Sequence, residues 1–393
     1  MILTNKQMEG LRIAVDRYKA GMPWTCISGY AGSGKSTLVR FIVEALGFNK
    51  EEVAYIAFTG KAANVLKQKG CSNATTAHKL LYYAKPMPNG TYKFSEKPRI
   101  TDYKLIIIDE VSMLPKKMWD LLLKHHIYII AMGDPGQLPP IDKTEANGIL
   151  DNPHVFLDEI MRQAKESEII RLSMHIREGN PLSTFKAEGT QVQVISKKDV
   201  VDGMWDCADQ ILCATNSQRN LLNQAIRAHK GFGPEPCPED KIISLRNHWD
   251  YMSDNWTPLT NGSIGHIKGF TKQSIYIPPY VCGISSYEQL TSLIETEEGD
   301  IFSGVPVDYK ALTTGEPTFT PQQIYKLNKN KNCPEPPYEF AYGYAITTHK
   351  AQGSEWDKVM VYEEGFPFIP MEHTRWLYTA VTRASQKLVI VKK

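Results

Sequence analysis

Gly29-Tyr-Ala31-Gly32-Ser33-Gly34-Lys35-Ser36 sets three glycines around a lysine and a hydroxyl. Glycines let successive backbone N–H groups turn inward around an anion. The lysine adds charge, and the adjacent hydroxyl suits a hard divalent cation. This G-x-x-x-x-G-K-[ST] spacing binds nucleoside triphosphates when a strand leads in and a helix leads out. Lys35 is then expected on the β- and γ-phosphates of ATP, Ser36 on Mg²⁺, and Thr37 beside the nucleotide. A distant acidic pair, Asp109-Glu110, completes the chemistry. Asp109 would hold Mg²⁺ through water, and Glu110 would orient and deprotonate the attacking water. That arrangement points to hydrolysis rather than to a small-molecule kinase.

These residues need positioning elements. Four apolar runs of strand length precede residue 150: Trp24 to Ser28, Val53 to Ala57, Leu105 to Ile108 and Ile127 to Met132. They lack polar alternation, as parallel strands buried on both faces do. Thr37 to Leu46 repeats apolar residues at helical spacing and stops at Gly47, and Lys61 to Lys69 is a second helix closed by Gly70. Strands alternating with helices give an α/β, parallel-sheet architecture. Asp109-Glu110 follows the third run, so it faces the same sheet edge as the phosphate loop. Around Asn89-Gly90, residues 80–104 read as an inserted β-hairpin with Tyr92 and Phe94 on one face. Glu168 to Arg177 reads as a helix, and Ile211 to Thr215, Val359 to Tyr362 and Leu388 to Val391 as strands. Prolines crowd residues 266–339, which read as a small all-β insertion.

The 393 residues suggest two or three domains. Net charge is only +2, but residues 61–126 hold 12 Lys/Arg against 5 Asp/Glu. A basic stretch inside a near-neutral chain is compatible with a groove for phosphate backbone. The seven cysteines are scattered without a Cys-x-x-Cys pair, which argues against a disulfide framework or zinc ribbon. No apolar run approaches the ~20 residues of a membrane span, and MILTNKQMEG lacks a signal core. The expected compartment is the cytoplasm, with a bacterium or phage-infected cell compatible.

Gly133-Asp-Pro-Gly-Gln137-Leu-Pro-Pro140, with the preceding sites, resembles superfamily 1 helicases. The resemblance makes Gln137 the γ-phosphate sensor and Gln7 the adenine-reading glutamine. Phe58-Thr59-Gly60-Lys61 and Thr75-Thr76-Ala-His78 are similar to the family's DNA-contact loops, which implies DNA contacts at Thr59, Gly60, Lys61, Thr76 and His78. Phe58 stands where the family often has proline. Arg162 and Arg383 resemble the arginines that face ATP from a second RecA-like domain. Ala345-Ile-Thr-Thr348-His349-Lys350-Ala-Gln352-Gly353-Ser-Glu355 looks like the motif of the RecD/Dda-like, 5′→3′ superfamily 1B branch. It implies that Thr348, His349 and Lys350 touch DNA while Gly353 and Glu355 couple that contact to the nucleotide.

The resemblance implies two RecA-like P-loop domains, at 1–150 and at 151–265 with 340–393. The hairpin becomes a pin carrying Tyr92 and Phe94 to the fork, and 266–339 becomes an SH3-like insertion. The implied activity is ATP-dependent 5′→3′ unwinding, by a monomer translocating on single-stranded DNA at duplex forks, with ATP and Mg²⁺ as cofactors. A single-strand-binding protein is a candidate partner. Two alternatives stay open: a nucleic-acid-dependent P-loop ATPase that remodels nucleoprotein without unwinding, and an RNA helicase of the same superfamily.

Overall fold

The computed structural model describes residues 3–68, 70–86, 92–139, 146–161, 166–201, 203–330 and 332–392. The side chains of Lys61, Asn64, Gln68, Ala84, Pro86, Tyr92, Lys93, Trp249 and Asp250 lie outside this description. The chain forms two compact units. One comprises Met1–Leu81, Lys97–Thr215 and Thr347–Lys393, and the other Tyr82–Glu96 with Asn216–Ile346.

The first unit is built on two parallel sheets. In one, the strands run in the order Ala74–Thr76, Val53–Ala57, Leu105–Ile108, Tyr128–Gly133, Trp24–Gly29, Val155–Leu157. The four apolar runs are its centre, and the expected strands Val53 to Ala57 and Leu105 to Ile108 form with those bounds. Every residue of Leu105–Ile108 is buried, as a strand covered on both faces requires. The helices Asn5–Lys19 and Lys35–Leu46 contribute Ala14, Leu38, Val39 and Ile42 to the core over Ile27, Leu105 and Ile130. The first helix was not anticipated. Its start is a reciprocal capping box between Thr4 and Gln7, a Thr-x-x-Gln signal present in the sequence.

The second parallel sheet aligns Gln210–Cys213, Trp356–Glu363, Ala384–Lys392 and Val192–Ser196. Helix Glu168–Arg177 has the expected bounds and packs with helix Pro370–Val381. Glu168 fixes the loop beside this sheet. Its carboxylate accepts the backbone N–H groups of Glu188, Gly189, Gln191 and Val192 at 2.7, 2.7, 2.9 and 3.4 Å. Burial alone would push that carboxyl up, but the four N–H donors outweigh it and hold it below its usual range.

The second unit contains a five-stranded antiparallel sheet ordered Ile301–Asp308, Ser286–Thr296, Ile264–Tyr276, Lys241–Ser244, Phe340–Tyr342. The expectation of an all-β insertion is corrected here. Helices Pro279–Cys282, Tyr309–Thr314 and Pro321–Lys329 interrupt the strands. Proline density suggested loops and strand edges. Pro321 instead occupies the first helical turn behind a Thr320–Gln323 capping box, where proline costs no hydrogen bond. Residues 216–265, read as part of the second RecA-like domain, group with this unit. So does the hairpin, whose strands Tyr82–Pro86 and Tyr92–Glu96 pair antiparallel. Its expected Asn89-Gly90 turn lies outside the described residues.

Candidate functional site

The phosphate loop joins strand Trp24–Gly29 to helix Lys35–Leu46, so helix N–H groups and dipole face the anion position. Its glycines are used sterically. Gly34 has φ +79°, and a Cβ there would collide with the Gln7 amide, while one on Gly29 would lie 2.7 Å from the Leu157 carbonyl. Lys35 Nζ donates to Gly29 O at 2.7 Å and Tyr30 O at 3.1 Å, within the same loop. Gln7 is buried beneath it. Its Oε1 accepts Thr4 N–H, and its Nε2 lies 3.4 Å from the Ser33 and Gly34 carbonyls and from Met161 Sδ. Gln7 therefore caps its own helix while touching the loop.

Asp109 and Glu110 end the Leu105–Ile108 strand. Asp109 Oδ1 accepts Glu110 N–H at 2.9 Å, and Glu110 has φ +52°, a left-handed conformation that a non-glycine residue adopts only under local constraint. Burial, reinforced by the Asp109 carboxylate, raises the Glu110 pKa against the opposing charge of Arg383. A carboxylate moved toward neutrality suits proton abstraction from water.

Gln137 joins this acid to the second parallel sheet. In the amide orientation that satisfies its neighbours, its nitrogen donates to Glu110 Oε2 at 3.0 Å and Oε1 at 3.3 Å, while its oxygen accepts from Arg383 Nη2 at 3.3 Å. Arg383 Nη1 stands 3.8 Å from Glu110 Oε1. Backbone carbonyls hold that guanidinium, Thr379 O at 3.1 Å on Nε and Ser354 O at 3.2 Å on Nη1. Further ties between the sheets are Gln352 Nε2 to Leu138 O at 3.0 Å and Leu138 N to Thr379 Oγ1 at 2.9 Å. Arg162 lies outside the described residues.

A cavity of about 630 Å³ is lined by Ser36, Asp109, Glu110, Gly353, Glu355 and Arg383. One hydroxyl and paired carboxylates form the hard-oxygen donor set that Mg²⁺ takes when substrate phosphates supply its other ligands. Among the described residues no group of three His, Cys, Asp or Glu could hold a metal ion.

The nucleic-acid positions are placed unevenly. Gly60 opens helix Gly60–Gln68, and Thr59 Oγ1 caps its Ala62 N–H at 3.2 Å. Gly353, at φ +75°, approaches this loop so closely that a Cβ would lie 3.0 Å from Ala62 Cβ. The Lys61 and Tyr92 side chains lie outside the described residues. The hydroxyls of Thr76 and Thr348 are engaged within the chain. Thr76 is buried, with Oγ1 accepting Lys79 N–H at 3.2 Å. Thr348 is fully buried, its hydroxyl donating to Cys213 O at 3.4 Å. One hydroxyl meets the first turn of helix Ala77–Leu81 and the other the end of strand Gln210–Cys213. His78, His349 and Lys350 are half-buried. Burial lowers both histidine pKa values, so near neutral pH they offer hydrogen bonds rather than charge. Phe94 is 44% exposed on the hairpin, edge-on to Tyr82 with centroids 6.3 Å apart.

Comparison with known proteins gives matching models for an AAA domain over residues 4–199 and a UvrD-like helicase C-terminal domain over 342–391. The chain is 26% identical to the ATP-dependent RecD2 DNA helicase of Deinococcus radiodurans, over 94% of this chain and 47% of the relative. It is 31% identical to the ATP-dependent DNA helicase dda of Enterobacteria phage T4, over 36% of this chain and 34% of the relative. These matches are consistent with a superfamily 1B helicase of the RecD/Dda-like group. The chain spans about half or less of the length of these curated relatives. A Bacteroides Pif1 helicase solved with ADP-AlF3 and single-stranded DNA shares the fold, with TM-score 0.56, 18% identity, and coverage of 100% of this chain and 92% of that one. The two parallel sheets thus match the two RecA-like domains of that fold. Of the residues singled out from the sequence, the structure brings together Ser36 of the phosphate loop, the acid pair, Gln137 and Arg383. Tyr378 and Thr379, a few positions before Arg383, carried no such signal.

Proposed function

We propose that this chain is an ATP-driven DNA helicase that translocates 5′→3′ on single-stranded DNA and unwinds duplex at forks. The observation that carries this reading is the Glu110–Gln137–Arg383 cluster, which joins the acid beside the phosphate loop to an arginine of the second RecA-like domain. A base for water, a polar relay and a transition-state cation on two separate domains can make hydrolysis depend on domain closure. Lys35 and the loop N–H groups would bind the phosphates, and Ser36 with Asp109 would hold Mg²⁺, which supplies charge neutralisation on the phosphates. Gly353 packed near Ala62 lets the motif of the second domain sense the first contact loop.

DNA rather than RNA is supported by relatives named DNA helicases, and polarity by the resemblance of Ala345 to Glu355 to the motif of the 5′→3′ branch. Backbone contacts at Thr59, Gly60, His78, His349 and Lys350 would make binding sequence-tolerant and salt-sensitive. The hairpin would serve as a pin with Phe94 at the fork, in a monomeric, cytoplasmic protein able to work beside a single-strand-binding protein. No helix among the described residues is long and apolar enough to cross a membrane. ATP hydrolysis measured with and without single-stranded DNA tests the reading. Strong stimulation by DNA is expected. A rate indifferent to DNA would refute it.

A further inference from the structure

Two consecutive residues of the phosphate loop are gripped by side chains of the second RecA-like domain. Arg177, the last residue of helix Glu168–Arg177, stacks over Tyr30 with its guanidinium carbon 3.5 Å from the ring centroid. Phe156 meets the same ring edge-on, with centroids 5.2 Å apart, and fixes its plane. Among the described residues Arg177 Nη1 is buried without a hydrogen-bond partner. The π face of Tyr30 therefore provides its compensation, and a desolvated cation–π pair is stronger than an exposed one.

The next residue is held differently. The Tyr378 hydroxyl accepts Ala31 N–H at 3.0 Å and donates to Asp134 Oδ2 at 2.6 Å. A tyrosine has one proton to give, and here both its donor and an acceptor site are used. Burial raises the Tyr378 pKa, so the hydroxyl keeps that proton. Asp134 is oriented in turn by Gly136 N–H on Oδ1 at 2.9 Å. Gly136 leaves room for the ring, since a Cβ there would lie 3.1 Å from Tyr378 Cε1. One hydroxyl thus ties helix Pro370–Val381 both to the phosphate loop and to the loop that carries Gln137.

We propose that Arg177 and Tyr378 are positioning residues that clamp Tyr30 and Ala31 of the phosphate loop to the second domain, and so slow reopening of the site for product release. The clamp rests on the ATPase reading for its consequence, although its contacts form without nucleotide. Neither residue touches the reacting atoms. Each acts through the loop whose N–H groups receive phosphate. Domain opening to release ADP must break both contacts, so they add to the barrier for release.

The test uses the full chain and two readouts. Hydrogen–deuterium exchange without nucleotide reports the Ala31 amide, and stopped-flow release of mant-ADP reports reopening. Tyr378→Phe keeps the ring and deletes both hydrogen bonds, so Ala31 exchange should rise about 3- to 10-fold. Arg177→Met keeps the apolar stem, and mant-ADP should leave about 3- to 10-fold faster from either variant. KM for ATP should rise by more than kcat falls, and Arg177→Lys should restore most of the slow release. Unchanged Ala31 exchange in Tyr378→Phe would overturn the clamp. Faster exchange with unchanged mant-ADP release and KM in both variants would reduce the contacts to packing and overturn the proposal. A wild-type chain that bound no mant-ADP would refute the ATP reading and the release role together, a result distinct from the exchange data.

Discussion

Two arginine–carboxylate pairs in this molecule serve opposite ends. In the second unit Arg227 meets Asp240 through two hydrogen bonds, Nε to Oδ1 at 2.9 Å and Nη2 to Oδ2 at 3.0 Å. Every neighbour closes around that pair. Arg227 Nη2 also donates to Glu235 O at 2.6 Å, Asp240 accepts Cys237 N–H at 2.8 Å and Tyr344 O–H at 3.0 Å, and the guanidinium stacks on Tyr342. In the first unit Arg383 stays 3.8 Å from Glu110, with Gln137 between them and a cavity in front. A saturated pair fixes one backbone arrangement. A loose pair with hydrogen-bonding capacity left over can accept a phosphoryl group and a water.

Breaking the loose pair should abolish turnover and spare the fold. Arg383→Ala is expected to lower DNA-stimulated ATPase by ~10³-fold or more, and Glu110→Gln by ~10²–10⁴-fold. Both variants should still melt near the wild-type temperature and retain ATP and DNA. Steady-state kinetics with calorimetry check this, and near-normal turnover of Glu110→Gln would return that residue to a structural role.

Breaking the saturated pair should do the reverse. Arg227→Ala leaves Asp240 charged and buried, a loss of about 3–5 kcal/mol of stability. A denaturant titration should show it, while the ATPase of the fraction still folded changes little. Equal stability of the variant would contradict the contrast between the pairs.

Glu168 sharpens the contrast through pH. Its folded pKa is depressed, so its contribution is fully present above the unfolded value of roughly 4.3 and is lost as pH falls through the folded pKa. Glu168→Gln should destabilise the chain by about 1–3 kcal/mol at neutral pH, and the gap from wild type should narrow below pH 4. A gap independent of pH would show that the carboxylate charge is irrelevant. The smallest effect belongs to the hairpin. Phe94→Ala should slow strand separation by a few-fold, on the order of one base–aromatic stack, and leave single-strand-stimulated ATPase intact. Equal loss of both would assign Phe94 to packing against Tyr82.

The sequence reveals the parts of this site whose chemistry is local. Gly29 to Ser36, Asp109-Glu110 and Gln137 each carry their signal within a few residues, and buried strands such as Leu105–Ile108 announce themselves by composition. What was not legible depends on meetings across the chain. Ala31 and Tyr378 lie 347 positions apart, and nothing near Tyr378 says that its hydroxyl will meet a phosphate-loop amide. The internal partners of Thr76 and Thr348 were hidden for a related reason, since a threonine in a contact motif looks the same whether its hydroxyl faces a ligand or the chain's own backbone. The helices inside 266–339 were hidden by prolines whose meaning depends on helical position.

The central claim is directional unwinding driven by ATP, and strand displacement on tailed duplexes tests it most directly. A duplex with a 5′ single-stranded tail should be separated in the presence of ATP and Mg²⁺, with efficiency falling as salt rises, and a 3′-tailed duplex should be left largely intact. Separation from the 3′ tail alone would contradict the 5′→3′ assignment, and failure on both tails alongside DNA-stimulated ATP hydrolysis would contradict unwinding itself.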